Sequence, residues 1–292
     1  MNPNLKPRVG FIGLGIMGRN MARHIQLAGY PLSVHDHSRA NAEPLVAGGA
    51  SWCDSAGDVA AASDIVISIV GTPRDVEQIY LGDGGIVARA KHGSILIDMT
   101  TSSPALAQRI EAAALRAGCA ALDAPVSGGE GGARDARLAI MVGGMQGTFE
   151  AALPLLQTMG GNIVLQGAAG AGQHTKMCNQ IVIASTIMGV CEGLAYGRRV
   201  GLDLETVLQS IGGGAASSFQ LSTFGARIDK GDFAPGFMID HFVKDLGIAL
   251  AEAAPMQLDL PGAALASKLY QFLANSGHGR SGTQALFKYY EQ

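Results

Sequence analysis

Charge is scarce in this chain of 292 residues: Asp, Glu, Lys and Arg make up 15% of it, and the formal net charge is −3. With a pI near 6.1 it offers no basic footprint for DNA or RNA. Aromatic residues are equally sparse at 5%, with a single Trp. The four cysteines (Cys53, Cys119, Cys178, Cys191) form no CxxC pair. In a chain of this size scattered cysteines read as reduced thiols, not as a disulfide framework or a metal site. The seven histidines supply no HxxxH or HExxH pattern, so a metal is not expected. Uninterrupted apolar stretches fall short of the ~20 residues of a membrane span. The opening MNPNLKPR has no apolar h-region, and a cytoplasmic protein is the expectation.

What the chain has in abundance is small and apolar: 41 glycines and 48% hydrophobic residues. That composition suits a tightly packed α/β protein with many turns and excludes disorder. Short apolar runs alternate with helical stretches over roughly the first 165 residues. Strands are expected at Arg8–Ile12, Leu32–Asp36, Ile65–Val70, Ser94–Asp98, Ala120–Asp123, Ala139–Val142 and Ile163–Leu165. Several are apolar throughout, as in strands covered on both faces of a parallel sheet. After Gly172 the strand rhythm stops. A long apolar helix is expected from Gln173 to about Val200, then helices near Leu204–Ile211, Ser218–Asp229, Met238–Ala254, Pro261–Ser276 and Thr283–Tyr289. The reading is a Rossmann-type doubly wound parallel sheet (residues 1–168) followed by an all-α domain (169–292). The long helix links them, with Gly167–Gly172 as a hinge.

The first chemistry-bearing motif directly follows the first strand. Gly13-Leu14-Gly15-Ile16-Met17-Gly18 is a GxGxxG turn opening a helix. There Gly13 permits the tight turn, Gly15 lets the backbone approach a pyrophosphate and Gly18 lets helix and strand pack closely. The helix N-terminus supplies N–H donors and positive dipole to the phosphates. Asp36 closes the second strand 18 residues beyond Gly18, where a carboxylate accepts from ribose hydroxyls and repels a 2′-phosphate. Arg39 nearby could instead receive that phosphate. NAD is therefore the expected cofactor, with NADP as the alternative.

Five motifs in order, GFIGLGIMG, DMTTSSP, DAPVSGGEGGA, GAGQHTKMCNQ and FVKDLGIAL, resemble those of the β-hydroxyacid dehydrogenases, the family of 3-hydroxyisobutyrate dehydrogenase and the tartronate and succinic semialdehyde reductases. The resemblance runs from Val9 to the end of the chain. It implies hydride transfer between a nicotinamide cofactor and a small carboxylated β-hydroxyacid or its semialdehyde, in a homodimer or homotetramer. It assigns Lys176 as the acid/base. Lys176 is also the only lysine between Lys91 and Lys230, although a lysine at a helix start is by itself weak evidence of catalysis. The same resemblance gives Ser127, Gly128 and Gly129 to the substrate carboxylate. Asn179, at i+3 from the lysine, and Phe237 border the substrate. Val70, Gly71, Thr72, Thr100, Thr101, Lys244 and Asp245 face the cofactor. Val70-Gly71-Thr72 departs from the Leu-Pro common in that loop, and Ala136-Arg137 from the small residues common after SGG. Other readings stay open: an imine reductase on the same scaffold, which typically lacks the lysine, and a cofactor-binding module without turnover.

Overall fold

The computed structural model describes residues 6–291, whose contacts cluster into two compact units, one ending at Lys176 and one beginning at Met177. Among the described residues the first unit holds nine strands in one sheet: β1 (Val9–Ile12), β2 (Leu32–His35), β3 (Ser51–Trp52), β4 (Ile65–Ser68), β5 (Ile95–Asp98), β6 (Ala120–Asp123), β7 (Val126–Ser127), β8 (Leu138–Gly144) and β9 (Gly160–Gly167). Their order is β3-β2-β1-β4-β5-β6-β8-β7, with β9 also paired to β8. The pairs from β3 through β6 are parallel, as are β8 and β9; β8 runs antiparallel to β6 and β7. The chain order reverses between β1 and β4, which makes the carboxyl ends of those strands a ligand crevice.

The apolar strands are explained by two-sided burial. Alternate side chains point to opposite faces: Val9, Phe11, Ile65, Ile67, Ile97 and Leu122 join one buried cluster, and Ile12, Val66, Leu96 and Ala121 join another. The sheet is thus a Rossmann-type core covered on both faces. The expected strands are all present with edges moved by a few residues. Sequence reading passed over β3 and β7, each two residues long.

At the carboxyl end of β5 a polar group enters this core. Asp98 Oδ1 accepts from Ser68 Oγ at 2.9 Å and from Thr100 N at 3.1 Å, and Ser68 Oγ lies 3.0 Å from Tyr80 Oη. Burial pushes the Asp98 carboxyl up to about 6 despite these donors.

The second unit is helical. The helix Ala171–Arg199 continues into it, and Ala184, Ile187, Cys191 and Leu194 pack with Phe242 and Leu246 of Ile239–Ala253 and with Ala266 and Tyr270 of Pro261–Leu273. Phe242 and Tyr270 meet edge-on with centroids 5.0 Å apart. Helices Leu204–Ile211 and Phe219–Asp229 complete the α part. The segment Thr283–Tyr289, expected as an ordinary helix, is a 3₁₀ helix. By length and mean hydropathy, Ala171–Arg199 is the one helix among the described residues able to cross a membrane. Its Gln173, Lys176 and Gln180 are buried polar groups, which lipid would penalise unless protein or water met them.

By contacts the units part at Lys176/Met177, eight residues beyond the expected 168/169 division, because the first turn of the long helix bonds to β7 and to the loop after β5: Gln173 to Ser102 and Thr100, Lys176 to Val126. Within the expected hinge, Gly170 N donates to Asp123 Oδ1 at 2.7 Å.

The Asp98 cluster makes stability depend on pH. Its folded pKa lies above the ordinary 3.8, so the folded state binds the proton more tightly than the unfolded chain. This group's contribution is most favourable below about pH 4 and declines as pH rises to about 6. Asp98→Asn keeps an acceptor for Ser68 and Thr100 and escapes that decline. Its stability relative to wild type should rise between pH 4 and pH 7 by up to about 3 kcal/mol, measured by urea unfolding at both values. A difference that stays flat would mean that Asp98 ionises normally in the fold.

Candidate active site

The glycine loop leaves β1 with the geometry its composition requires. Gly13 has φ +92°, and a Cβ there would lie 2.1 Å from Ile69 O. At Gly18 a Cβ would lie 1.9 Å from Gly13 O, so a side chain would drive the helix Gly18–Leu27 off the loop. Gly15 is the opposite case: it is exposed, and nothing stands within 4 Å of where its Cβ would be. That open position beside the first turn of a ten-residue helix is the shape a pyrophosphate needs. The residues present therefore fit a dinucleotide. Leu14 packs into the core at 1% exposure, while Ile16 and Met17 are half-buried.

Asp36, 5% exposed, is held by donors of the protein itself. Oδ2 accepts from Leu14 N at 2.6 Å, and Oδ1 accepts from Ser38 N at 2.8 Å and Asn41 Nδ2 at 2.9 Å. The carboxylate thus ties the end of β2 to the glycine loop. His37 Nδ1 stands 3.2 Å from Oδ1. Arg39 is exposed, its guanidinium 5.5 Å from the centre of the Trp52 ring.

The ends of β4 and β5 are joined by Val70 N donating to Thr100 Oγ1 at 3.0 Å. Thr100 is 2% exposed and Thr101 half-buried. Gly71 adjoins the helix start, and Thr72 has a structural duty: its hydroxyl and N–H form a capping box with Asp75 over the helix Pro73–Leu81.

Beyond β6 the chain enters β7 and then a short helix at Gly129–Arg134, with Gly128 at φ +132° between them. Ser127 and Gly129 are half-buried and Gly128 is exposed. Lys176, only 6% exposed, donates from Nζ to Val126 O at 2.7 Å. One peptide therefore separates the lysine's acceptor from Ser127. Arg137 is a surface residue paired with Asp135 at 2.7 Å.

Two residues that sequence reading did not single out hold this arrangement. Asp123, 3% exposed, accepts Gly170 N on Oδ1 and Gln173 N on Oδ2 (2.8 Å), at the N-terminus of the long helix. Burial pushes its carboxyl up, and these backbone donors oppose the shift. Gln173, 0% exposed, bonds through its amide to Ser102 N and Thr100 O. Both lie inside motifs already quoted, DAPVSGG and GAGQHTK, but nothing local marks them as partners.

The second unit gathers its own polar chain. Lys244 Nζ lies 3.0 Å from Asp245 Oδ1. Asp245 Oδ2 accepts from Gln180 Nε2 at 2.6 Å, and Gln180 Oε1 accepts from Asn179 Nδ2 at 2.6 Å. Gln180, 1% exposed, is likewise unmarked in the sequence. Phe237 is half-buried, stacked on His241 and edge-on to Phe242. Burial lowers the His241 pKa, with Lys244 adding to the effect.

A family model described as the NAD binding domain of 6-phosphogluconate dehydrogenase matches residues 8–167. Another, described as NAD-binding of NADP-dependent 3-hydroxyisobutyrate dehydrogenase, matches residues 170–290. An uncharacterized oxidoreductase of Bacillus subtilis is 50% identical over 97% of this chain and 99% of its own. A probable mitochondrial 3-hydroxyisobutyrate dehydrogenase-like protein of Arabidopsis thaliana is 45% identical, covering 96% and 84%. The 2-hydroxy-3-oxopropionate reductase of Escherichia coli is 39% identical, covering 96% and 95%. Among solved structures, the 3-hydroxyisobutyrate dehydrogenase of Mycobacterium tuberculosis with L-serine has a TM-score of 0.88 at 31% identity, covering 99% and 100%. A structure in complex with NADP+ and 2-OPP has a TM-score of 0.90 at 25% identity, covering 96% and 99%. The imine reductase of Myxococcus stipitatus with NADP+ shares the fold, at TM-score 0.65 and 22% identity, covering 98% and 100%. The chain belongs to the β-hydroxyacid dehydrogenase family and is an NAD(P)-dependent oxidoreductase acting on the CH–OH group of small hydroxyacids.

Proposed function

We propose that the protein interconverts a short β-hydroxyacid and its semialdehyde in the cytoplasm, with NAD(H) preferred over NADP(H) and Lys176 as the acid/base. The observation that carries this reading is the position of Lys176. It is a buried lysine whose Nζ is fixed on the carbonyl of Val126, next to the Ser127-Gly128-Gly129 segment. The nicotinamide, when bound, supplies or receives the hydride. In reduction Lys176 gives a proton to the carbonyl oxygen; in oxidation its neutral amine takes the hydroxyl proton. Ser127 and the N–H groups of Gly128 and Gly129 hold the substrate carboxylate through charge-assisted hydrogen bonds. Asn179 and Phe237 border the substrate. The loop Gly13–Gly18, with Asp36 and Arg39, serves the adenosine and phosphate end of the cofactor. Val70, Gly71, Thr72, Thr100, Thr101, Lys244 and Asp245 complete its site.

In this reading residues 1–168 form the cofactor-binding domain and residues 169–292 a substrate and oligomerisation domain, a division supported by the two family models, which match residues 8–167 and 170–290. A homodimer or homotetramer is supported by the exposed stripe on the long helix. Cys178, Val182, Ser185, Gly189, Glu192 and Tyr196 recur along one face, with Val182 65% and Tyr196 70% exposed. Residues three and four apart share a helix face, and around Cys178–Gly189 this one is small and uncharged enough to seat another copy of the chain.

Lys176→Ala should lower kcat by about 100-fold or more, because positioned proton transfer contributes typically about 10²–10⁴. NADH affinity, read by fluorescence titration, should stay near wild type. Turnover close to normal would remove the lysine from the mechanism.

Wild-type enzyme should show the higher kcat/KM with NAD(H). Asp36→Ser should narrow or invert that preference, and should weaken both cofactors somewhat because Leu14 N loses its acceptor. A wild type that clearly prefers NADP(H) would transfer control of the pocket to Arg39 or its neighbours.

The carboxylate receptor is tested with succinic semialdehyde, its methyl ester and an aliphatic aldehyde of equal length. Each charge-assisted hydrogen bond is worth about 1.5–3 kcal/mol, so esterification should cost roughly 10–100-fold in kcat/KM per bond lost. Equal rates for all three would mean that the site does not read a carboxylate.

A further inference from the structure

Gln173 stands three residues before Lys176 on the long helix, and both ends of its amide are committed to one short stretch of backbone. Oε1 accepts from Ser102 N at 2.9 Å, and Nε2 donates to Thr100 O at 2.8 Å. Thr100 and Ser102 are 2% and 1% exposed, and Gln173 is 0% exposed, so water cannot replace either bond. A single side chain thereby pairs with the segment beyond β5 as a neighbouring strand would. Its own N–H donates to Asp123 Oδ2 at 2.8 Å, at the end of β6. The ends of two parallel strands and the first turn of a helix therefore converge on one residue.

The distance from this residue to the lysine is short and stiff. Three residues of α-helix rise about 4.5 Å and return nearly to the same face. Any shift of Gln173 relative to Thr100–Ser102 passes to Lys176 with no intervening loop to absorb it. Misplacement of a reacting group by about 1 Å can cost about 100-fold in rate. Core packing alone would be met by an apolar side chain of similar length, but that would leave Ser102 N and Thr100 O buried without partners. Only a planar group with one donor and one acceptor satisfies both and fixes the register.

We infer that Gln173 is a positioning residue, one that sets the acid/base lysine in register with the Thr100-Thr101-Ser102 loop. The inference rests on the reading of Lys176 as the acid/base and of that loop as the cofactor's nicotinamide side.

Two variants test it, Gln173→Met and Gln173→Glu. Gln173→Met, close in length but without the hydrogen bonds, should lower kcat by about 10–100-fold while the KM for substrate and the Kd for NADH stay within about threefold. Folding at the assay temperature is checked by circular dichroism. Gln173→Glu carries the sharper readout. A protonated carboxyl has a carbonyl acceptor for Ser102 N and an O–H donor for Thr100 O, whereas its anion has no donor. The ratio of its kcat to that of wild type should therefore climb as pH falls, and this test stands even if the methionine variant fails to fold. A folded Gln173→Met with kcat within twofold of wild type, or a Gln173→Glu ratio independent of pH, overturns the inference. So does a loss of NADH affinity as large as the loss of kcat, which would make Gln173 a cofactor-site residue instead. Lys176→Ala assayed alongside separates the two failures. An active Lys176→Ala enzyme brings down the lysine reading itself, whereas an inactive one beside normal Gln173 variants brings down the positioning role alone.

Discussion

The start of the long helix is held by a carboxylate taken out of water. Asp123 ends β6 and receives the N–H groups of Gly170 and Gln173. A buried charge is costly unless donors replace its hydration, and unpaired N–H groups at a buried helix start are costly in the same way. Each deficiency is met by the other. The glycines in this stretch make the approach possible: a Cβ on Gly172 would lie 2.6 Å from Asp123 O, and one on Gly143 2.4 Å from Asp123 Oδ1. Once the helix start is fixed on the sheet, Gln173 and Lys176 have defined places on the first unit, and the rest of the site follows from the strand ends around them.

Much of this was legible in the sequence where the physics is local or periodic. The runs around Phe11, Ile67 and Ile97 announced strands because two-sided burial leaves no polar face to break the pattern. The glycine loop was legible because backbone conformation and close approach restrict Gly13 and Gly18 to glycine. β3 and β7 were not, since a two-residue strand exists only by virtue of its neighbour. Nor was the extent of the first unit, which depends on hydrogen bonds from Gln173 to residues 71 and 73 positions away.

The site divides along the same line. Lys176, Ser127 and Asp36 could be proposed from motifs, because the chemistry proposed for them is a property of residue type and order. Asp123, Gln173 and Gln180 could not, because an amide or carboxylate in a sequence does not declare its partner. Gln180 joins Asn179 to Asp245 across 65 positions, and only the folded chain makes that pairing visible. The departure at Val70-Gly71-Thr72 resolves into ordinary structure: Thr72 caps a helix, and Val70 is tied to Thr100.

The proposed role of Asp36 has a kinetic side. A carboxylate has about four acceptor positions, and Oδ2, which carries one hydrogen bond from Leu14 N, keeps capacity for a ribose hydroxyl. The same contact ties the glycine loop to the end of β2. A loop tied in this way would lose less conformational entropy when a dinucleotide docks. Association would then be governed by diffusion and orientation of the encounter pair, and differences among dinucleotides would be expressed in how long each one stays.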